Sequence, residues 1–188
     1  MQEEHPLIEL YVNLSDEQQN AAIEQIFSAI DLDGVVSRTL QAVGLTQPVM
    51  LTLLITDDDG IREMNKQYRE QDKPTDVLSF PLVEQPLVDA PADQLWKPQV
   101  EEGAEPIDAF VTPPGMITNL GDIVMSWPTI LHQAAEAGHD DVTELIYLLS
   151  HGVLHLVGYD DQTEAGYQAM VQIQQSILQA MGQKAYKE

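Results

Sequence analysis

The sequence predicts a single α/β domain spanning 1–188, a small sheet of about four strands packed with helices. Three observations carry that reading. Segments with the alternation or apolar density of strands (7–13, 49–56, 76–82 and 120–127) are interleaved with stretches whose apolar residues recur at helical spacing. A length of 188 residues suits one domain with ample core. The 44% hydrophobic and 21% charged content is that of an ordinary globular protein.

Taken in order, LIELYVN at 7–13 alternates apolar and polar residues as a strand does. Ser15 is placed to cap a helix, with Asp16 and Glu17 in its first turn and Ala22, Ile23, Ile26, Phe27 and Ile30 at helical spacing. After Asp31-Leu32-Asp33-Gly34 the helix resumes to about Gly44, and VMLTLLIT at 49–56 is a dense, buried strand. Asp57, Asp58 and Asp59 invite a cation-site reading but lack the alternate spacing of a calcium loop. They read better as caps of the helix over about 60–71. DVLSFPL at 76–82 is a strand ended by its proline, and LGDIVMSW at 120–127 is another. Pro128 opens a helix through Ala137, a long helix covers 140–158, and the last runs from about 163 to 181.

Residues 84–118 differ in texture, being rich in proline and acid with Lys97 as the only base. A structureless loop of that length is uncommon inside a compact domain, so the segment is expected to be a flexible insertion or a functional flap. Leu95-Trp96 and Ile107 to Val111 are its candidate anchors.

Composition excludes several classes. With no cysteine there are no disulfides or thiolate ligands, so any metal is held by nitrogen and oxygen. No apolar run approaches the roughly 20 residues of a membrane span. The N-terminus is acidic where a signal peptide is basic, and a cytoplasmic protein is expected. A formal charge of -23 repels nucleic acid globally, which makes the eight basic residues informative for being scarce.

Chemistry concentrates in HGVLHLVGYDD at 151–161. Residues four apart share a helix face, so His151 and His155 can aim at one point, although an ordinary core or surface histidine pair has the same spacing. Gly152 stands inside the helix, where glycine costs about 1 kcal/mol relative to alanine. Something is therefore expected to approach its backbone closely. Gly158 supplies a helix end, after which the chain can turn Asp160 or Asp161 back toward the histidines. Two histidines, one carboxylate and an open position meet the needs of a catalytic zinc site. Asp161, three residues before Glu164, equally fits an N-cap of the last helix. His5, His132 and His139 show no comparable arrangement.

These residues resemble the signature of the YbeY family of metal-dependent endoribonucleases, H-G-x-L-H-L-x-G-Y-D-H, which 151–160 match at every specified position. IREMNKQYREQDKPTDVLSFP at 61–81 resembles a second family block, and LGDIVMS at 120–126 a third, so the likeness covers about 50–182. It implies one Zn2+ per chain on His151, His155 and a third ligand at Asp161, where the family has histidine. A carboxylate there implies a weaker Lewis acid and widens the choice toward harder divalent metals such as manganese. The acidic segment 84–118 is a second departure, since the family usually has a shorter connection there.

The resemblance further implies cleavage of single-stranded RNA in small-subunit ribosomal RNA maturation and ribosome quality control, with the ribosome or a ribosomal protein as partner and neither DNA nor membrane. Arg69 matches the family's catalytic-cleft arginine and would hold the phosphate. Four of the eight bases, Arg62, Lys66, Arg69 and Lys73, fall within 62–73, with the first three on one helical face. On spacing alone that stripe is as well read as a solvated face balanced by Glu63, Glu70 and Asp72. With the resemblance, Arg62, Lys66 and Lys73 become a local phosphate track. Two rivals remain. A zinc peptidase is disfavoured because Gly152 stands where H-E-x-x-H has its glutamate. A non-catalytic, metal-stabilised ribosome assembly factor would keep the fold and lose the chemistry.

Overall fold

The computed structural model describes residues 6–98, 116–183 and 186. The elements are β1 (Leu7–Val12), α1 (Glu17–Ser28), α2 (Leu32–Ala42), β2 (Val49–Thr56), α3 (Asp58–Arg69), β3 (Val77–Pro81), β4 (Thr118–Ser126), α4 (Trp127–Ala137), α5 (Asp141–Val157) and α6 (Glu164–Ala180), with a short 3-10 turn at Ala92–Gln94. The four strands lie in the order β1-β2-β4-β3. β1, β2 and β4 are parallel, and β3 runs antiparallel to β4 at one edge. The expected α/β class and four-stranded sheet are both observed.

Strand alternation divides the sheet into two faces. Leu51, Leu53, Ile55, Ile123 and Met125 join the main core with residues of α2, α5 and α6, including Val35, Val36, Leu149, Leu154 and Leu178. Leu54 and Val124 turn to the other face and meet Ile61 and Met64 of α3. Each fully buried Leu or Ile contributes about 1.5–3 kcal/mol, so the first face dominates stability.

Caps follow the acidic residues, with one shift from expectation. The Asp16 side chain, rather than that of Ser15, caps α1 by accepting from the Gln18 amide at 3.1 Å. The Ser15 amide is engaged elsewhere, donating to Asp57 at 2.8 Å. Asp57 also caps α3 through the Gly60 amide at 2.8 Å, and Asp58 accepts from Ser126 and Thr129 at the start of α4. Asp57 and Asp58 are thus structural, and Asp59 lies in the first turn of α3.

α5 is buried along most of its length. Gly152 lets it lie tightly on β4: a Cβ there would stand 2.9 Å from Cδ1 of Ile123. The close approach expected at this glycine is therefore the sheet itself. Within 84–118, residues 84–98 are placed and Trp96 anchors them, while 99–115, with the candidate anchors Ile107 to Val111, lie outside the described residues.

Candidate metal centre

His151 and His155 sit one turn apart near the C-terminal end of α5, half-buried, with their Nε2 atoms 3.0 Å apart. Asp161 Oδ2 completes the triangle at 3.7 Å from His151 Nε2 and 3.5 Å from His155 Nε2. A tetrahedral zinc with bonds of about 2.0–2.1 Å separates its ligands by about 3.3 Å. The three separations bracket that value, and these are the residues whose ligand atoms converge to within 4.8 Å among those described.

Gly158 makes the return possible. It ends α5 at φ +137°, and a Cβ there would be 2.6 Å from Cβ of Pro86. The rival uses of the two aspartates separate cleanly. Asp160 Oδ1 accepts from the Gln162 amide at 3.0 Å and so shapes the turn. The cap of α6 is Thr163, whose Oγ1 accepts from Gly166 at 3.0 Å. Asp161 is neither cap nor turn former, and its carboxylate faces the histidines.

A backbone carbonyl and a side-chain amide select the imidazole tautomers. His155 Nδ1 lies 2.9 Å from the Tyr159 carbonyl, which can only accept, so Nδ1 carries the proton and Nε2 a lone pair. His151 Nδ1 faces Gln174, a buried amide on α6. The Gln174 Nε2 donates to the Tyr147 carbonyl at 3.1 Å, which turns Oε1 toward His151 Nδ1 at 3.4 Å. That Nδ1 too must donate. Both Nε2 atoms and a carboxylate oxygen thus face one point, the donor set of a candidate cation site.

Electrostatics set the protonation states. Desolvation, and then neighbouring His155, push His151 down to about 4. Asp161 is held well below the usual carboxylate range, first by the His155 ring, against a desolvation that raises it. At neutral pH His151 is neutral and Asp161 charged, the forms that bind metal.

Arg69 ends α3, donates from Nη2 to the Ser79 carbonyl of β3, and lies 5.4 Å from the Phe80 ring centroid. Ser79 Oγ in turn donates to the Gly152 carbonyl at 3.5 Å, so Arg69 is linked through β3 to the turn of α5 that carries His151. Arg62, Lys66 and Lys73 form an exposed row on α3 and the loop after it. Arg62 pairs with Asp72 at 2.7 Å, the balance expected of a solvated face. Buried Asn65 donates to the Lys73 carbonyl at 2.9 Å and holds that loop against the helix. His132 pairs with exposed Glu136, and His139 stacks on Tyr186. A separate groove of about 710 Å³, lined by Tyr11, Tyr68 and Phe80 among others, lies on the α3 face of the sheet and is not lined by His151, His155 or Asp161.

Gln174 and Tyr159 escaped sequence reasoning, and Trp96, read there only as an anchor of the acidic segment, was not connected with His155. Tyr159 lies within the 151–161 motif, but its role is played by a backbone carbonyl. The other two are 23 and 59 residues from their histidine partners. The one available signal for Gln174 was an amide on the apolar face of the last helix.

Fold and site together define an α/β protein in which two histidines near the end of a core helix and one carboxylate form a candidate cation site. The profile of the family described as endoribonuclease YbeY matches residues 13–182, and the chain belongs to that family. It is 39% identical over 152 residues to an endoribonuclease YbeY of Roseiflexus sp. (strain RS-1), covering 80% of this chain and 82% of that one. The relative from Desulforamulus reducens is 37% identical (88% and 93% covered), and that from Roseiflexus castenholzii 36% (93% and 94%). A solution structure from Thermotoga maritima aligns over 94% of this chain and 92% of its own, at 19% identity and a TM-score of 0.46; the assignment rests on the sequence relatives.

Proposed function

We propose that this protein is a metal-dependent endoribonuclease that cleaves single-stranded RNA during maturation of small-subunit ribosomal RNA and in ribosome quality control, in the cytoplasm. Family membership supports the reaction class. The observation that carries the metal dependence is the convergence of His151 Nε2, His155 Nε2 and Asp161 Oδ2 on one point. No described helix is long and apolar enough to cross a membrane. The ribosome or a ribosomal protein is the partner in this reading, and 84–118 is an insertion within one domain spanning 1–188.

One Zn2+ per chain fits the donor set, with a harder divalent metal favoured more than in an all-histidine site because of Asp161. When bound, such an ion polarises a phosphoryl oxygen and acidifies water. The chain's own residues do the rest. His151 and His155 present their Nε2 atoms, with each Nδ1 engaged by Gln174 or the Tyr159 carbonyl. Arg69, anchored on Ser79 and Phe80, is the group that holds the phosphate and offsets charge developing on its oxygens. Lys66, Lys73 and Arg62 extend a short cationic track in an otherwise repulsive field, with Arg62 shared with Asp72.

The test is cleavage of a single-stranded RNA by the purified protein before and after chelation, with Zn2+ and Mn2+ restored separately. Activity that disappears with chelation and returns with one of the two ions is the expected result. Undiminished cleavage after exhaustive chelation would refute the proposal.

A further inference from the structure

The first limb of the acidic segment has no role in the proposed reaction, yet it is built into the metal centre. The last carbonyls of a helix have no partners within it and need them from outside. At the end of α5 residues 87–96 supply them. Leu87 N donates to Val157 O at 2.8 Å, Trp96 N to Gly158 O at 2.9 Å, and the Trp96 indole Nε1 to His155 O at 2.8 Å.

The same limb grips both flanks of Asp161. Leu95 and Tyr159 form an antiparallel bridge, with the Asp160 amide donating to the Gln94 carbonyl at 3.0 Å. Beyond the aspartate, Thr163 Oγ1 donates to the Asp93 carbonyl at 2.5 Å. Pro86 closes the other end by packing on Gly158, where a side chain would collide with it. Neither flank of the third ligand belongs to a helix, so its position depends on this contact.

We propose that residues 86–96 buttress the metal centre, with Trp96 the positioning residue that holds His155 and the Asp161 turn at coordinating distance. This rests on the reading of His151, His155 and Asp161 as metal ligands. Trp96 touches no ligand atom; it acts through the backbone of one ligand and the turn that carries another. Part of the acidic segment is thereby a fixed support for the site.

Cobalt titration tests it, since Co2+ in such a site absorbs visibly and reports both affinity and geometry. Trp96→Phe keeps a ring and removes the N–H. It should weaken Co2+ binding about ten-fold, the low end for a lost supporting hydrogen bond, and alter the visible spectrum. A merely structural role would lower the melting temperature of the metal-free protein and leave Kd and spectrum unchanged; that result overturns the inference. Trp127→Phe gives a second, gentler arm, because Trp96 is then the remaining tryptophan of two. Its emission should be quenched by Co2+ with the Kd read from absorption, and absence of quenching likewise overturns the inference. If the wild-type protein takes up no Co2+, the metal-site reading fails along with it. Uptake with identical behaviour in Trp96→Phe sinks this inference alone.

Discussion

Oε1 of Gln174 lies 3.4 Å from Nδ1 of His151 because the other end of the same amide is committed to a carbonyl, that of Tyr147, at 3.1 Å. The amide cannot flip without setting an acceptor against an acceptor. A side chain on α6 thus decides which nitrogen of a residue on α5 carries the proton.

Gln174→Leu should therefore weaken metal binding by about 10–100-fold, the usual effect of removing an outer partner of a ligating histidine. Gln174→Glu keeps an acceptor for His151 but turns a carboxylate oxygen toward the Tyr147 carbonyl. It should bind metal better than Gln174→Leu while losing about 1–3 kcal/mol of stability. Competition with a chromophoric chelator and urea denaturation separate the two effects.

Arg69→Ala should leave metal content at the wild-type level and lower kcat/KM on single-stranded RNA by about 10²-fold, the scale of one lost transition-state donor. Arg69→Lys should recover only part of it, since an ammonium cannot reproduce the planar fork that reaches Ser79 and lies near Phe80. Steady-state cleavage kinetics beside elemental analysis give the answer; full activity in Arg69→Ala would remove this residue from the mechanism.

Glu144 supplies a pH prediction away from the site. Its carboxyl is wholly buried, accepts from the Tyr186 hydroxyl at 2.9 Å through Oε1, and has no partner for Oε2 among the described residues. Desolvation raises its pKa above the ordinary 4.5, with the Tyr186 hydrogen bond working the other way. A carboxyl raised on folding contributes stability that is fully present below the unfolded value and is lost as pH rises through the folded one. Glu144→Gln should match the wild type near pH 4 and gain on it toward pH 8. Thermal melts across that range check the sign; a gain confined to acid pH would contradict it.

Gly158→Ala joins two penalties, a backbone at φ +137° and a collision with Pro86. Strained backbone of this kind costs about 1–3 kcal/mol by itself. The variant should lose at least that in denaturant unfolding, and with it the metal affinity, because the turn toward Asp161 begins at this residue.

Much of this architecture was legible in the chain, for reasons particular residues show. VMLTLLIT is dense with branched residues, and it forms β2 over 49–56, as read. His151 and His155 were legible because one helix fixes their relation. Asp161 was ambiguous because its rival role depends on where α6 begins, and helix ends shift by a residue or two when several capping side chains compete. Thr163 wins that place, as Asp16 does at α1. Leu95-Trp96 was legible as an anchor of the acidic segment, but what it anchors to, and the Gln174 contact, were not. Each joins residues far apart in the chain through one or two hydrogen bonds, and no periodicity announces such pairs.

The most direct test of the account is zinc content and RNA cleavage measured on the same preparations of wild type, Asp161→Ala and Asp161→His. Wild type should hold about one metal per chain and cleave RNA, Asp161→Ala should lose both, and Asp161→His, which restores a nitrogen donor, should retain both. Equal metal and equal cleavage in wild type and Asp161→Ala would contradict it.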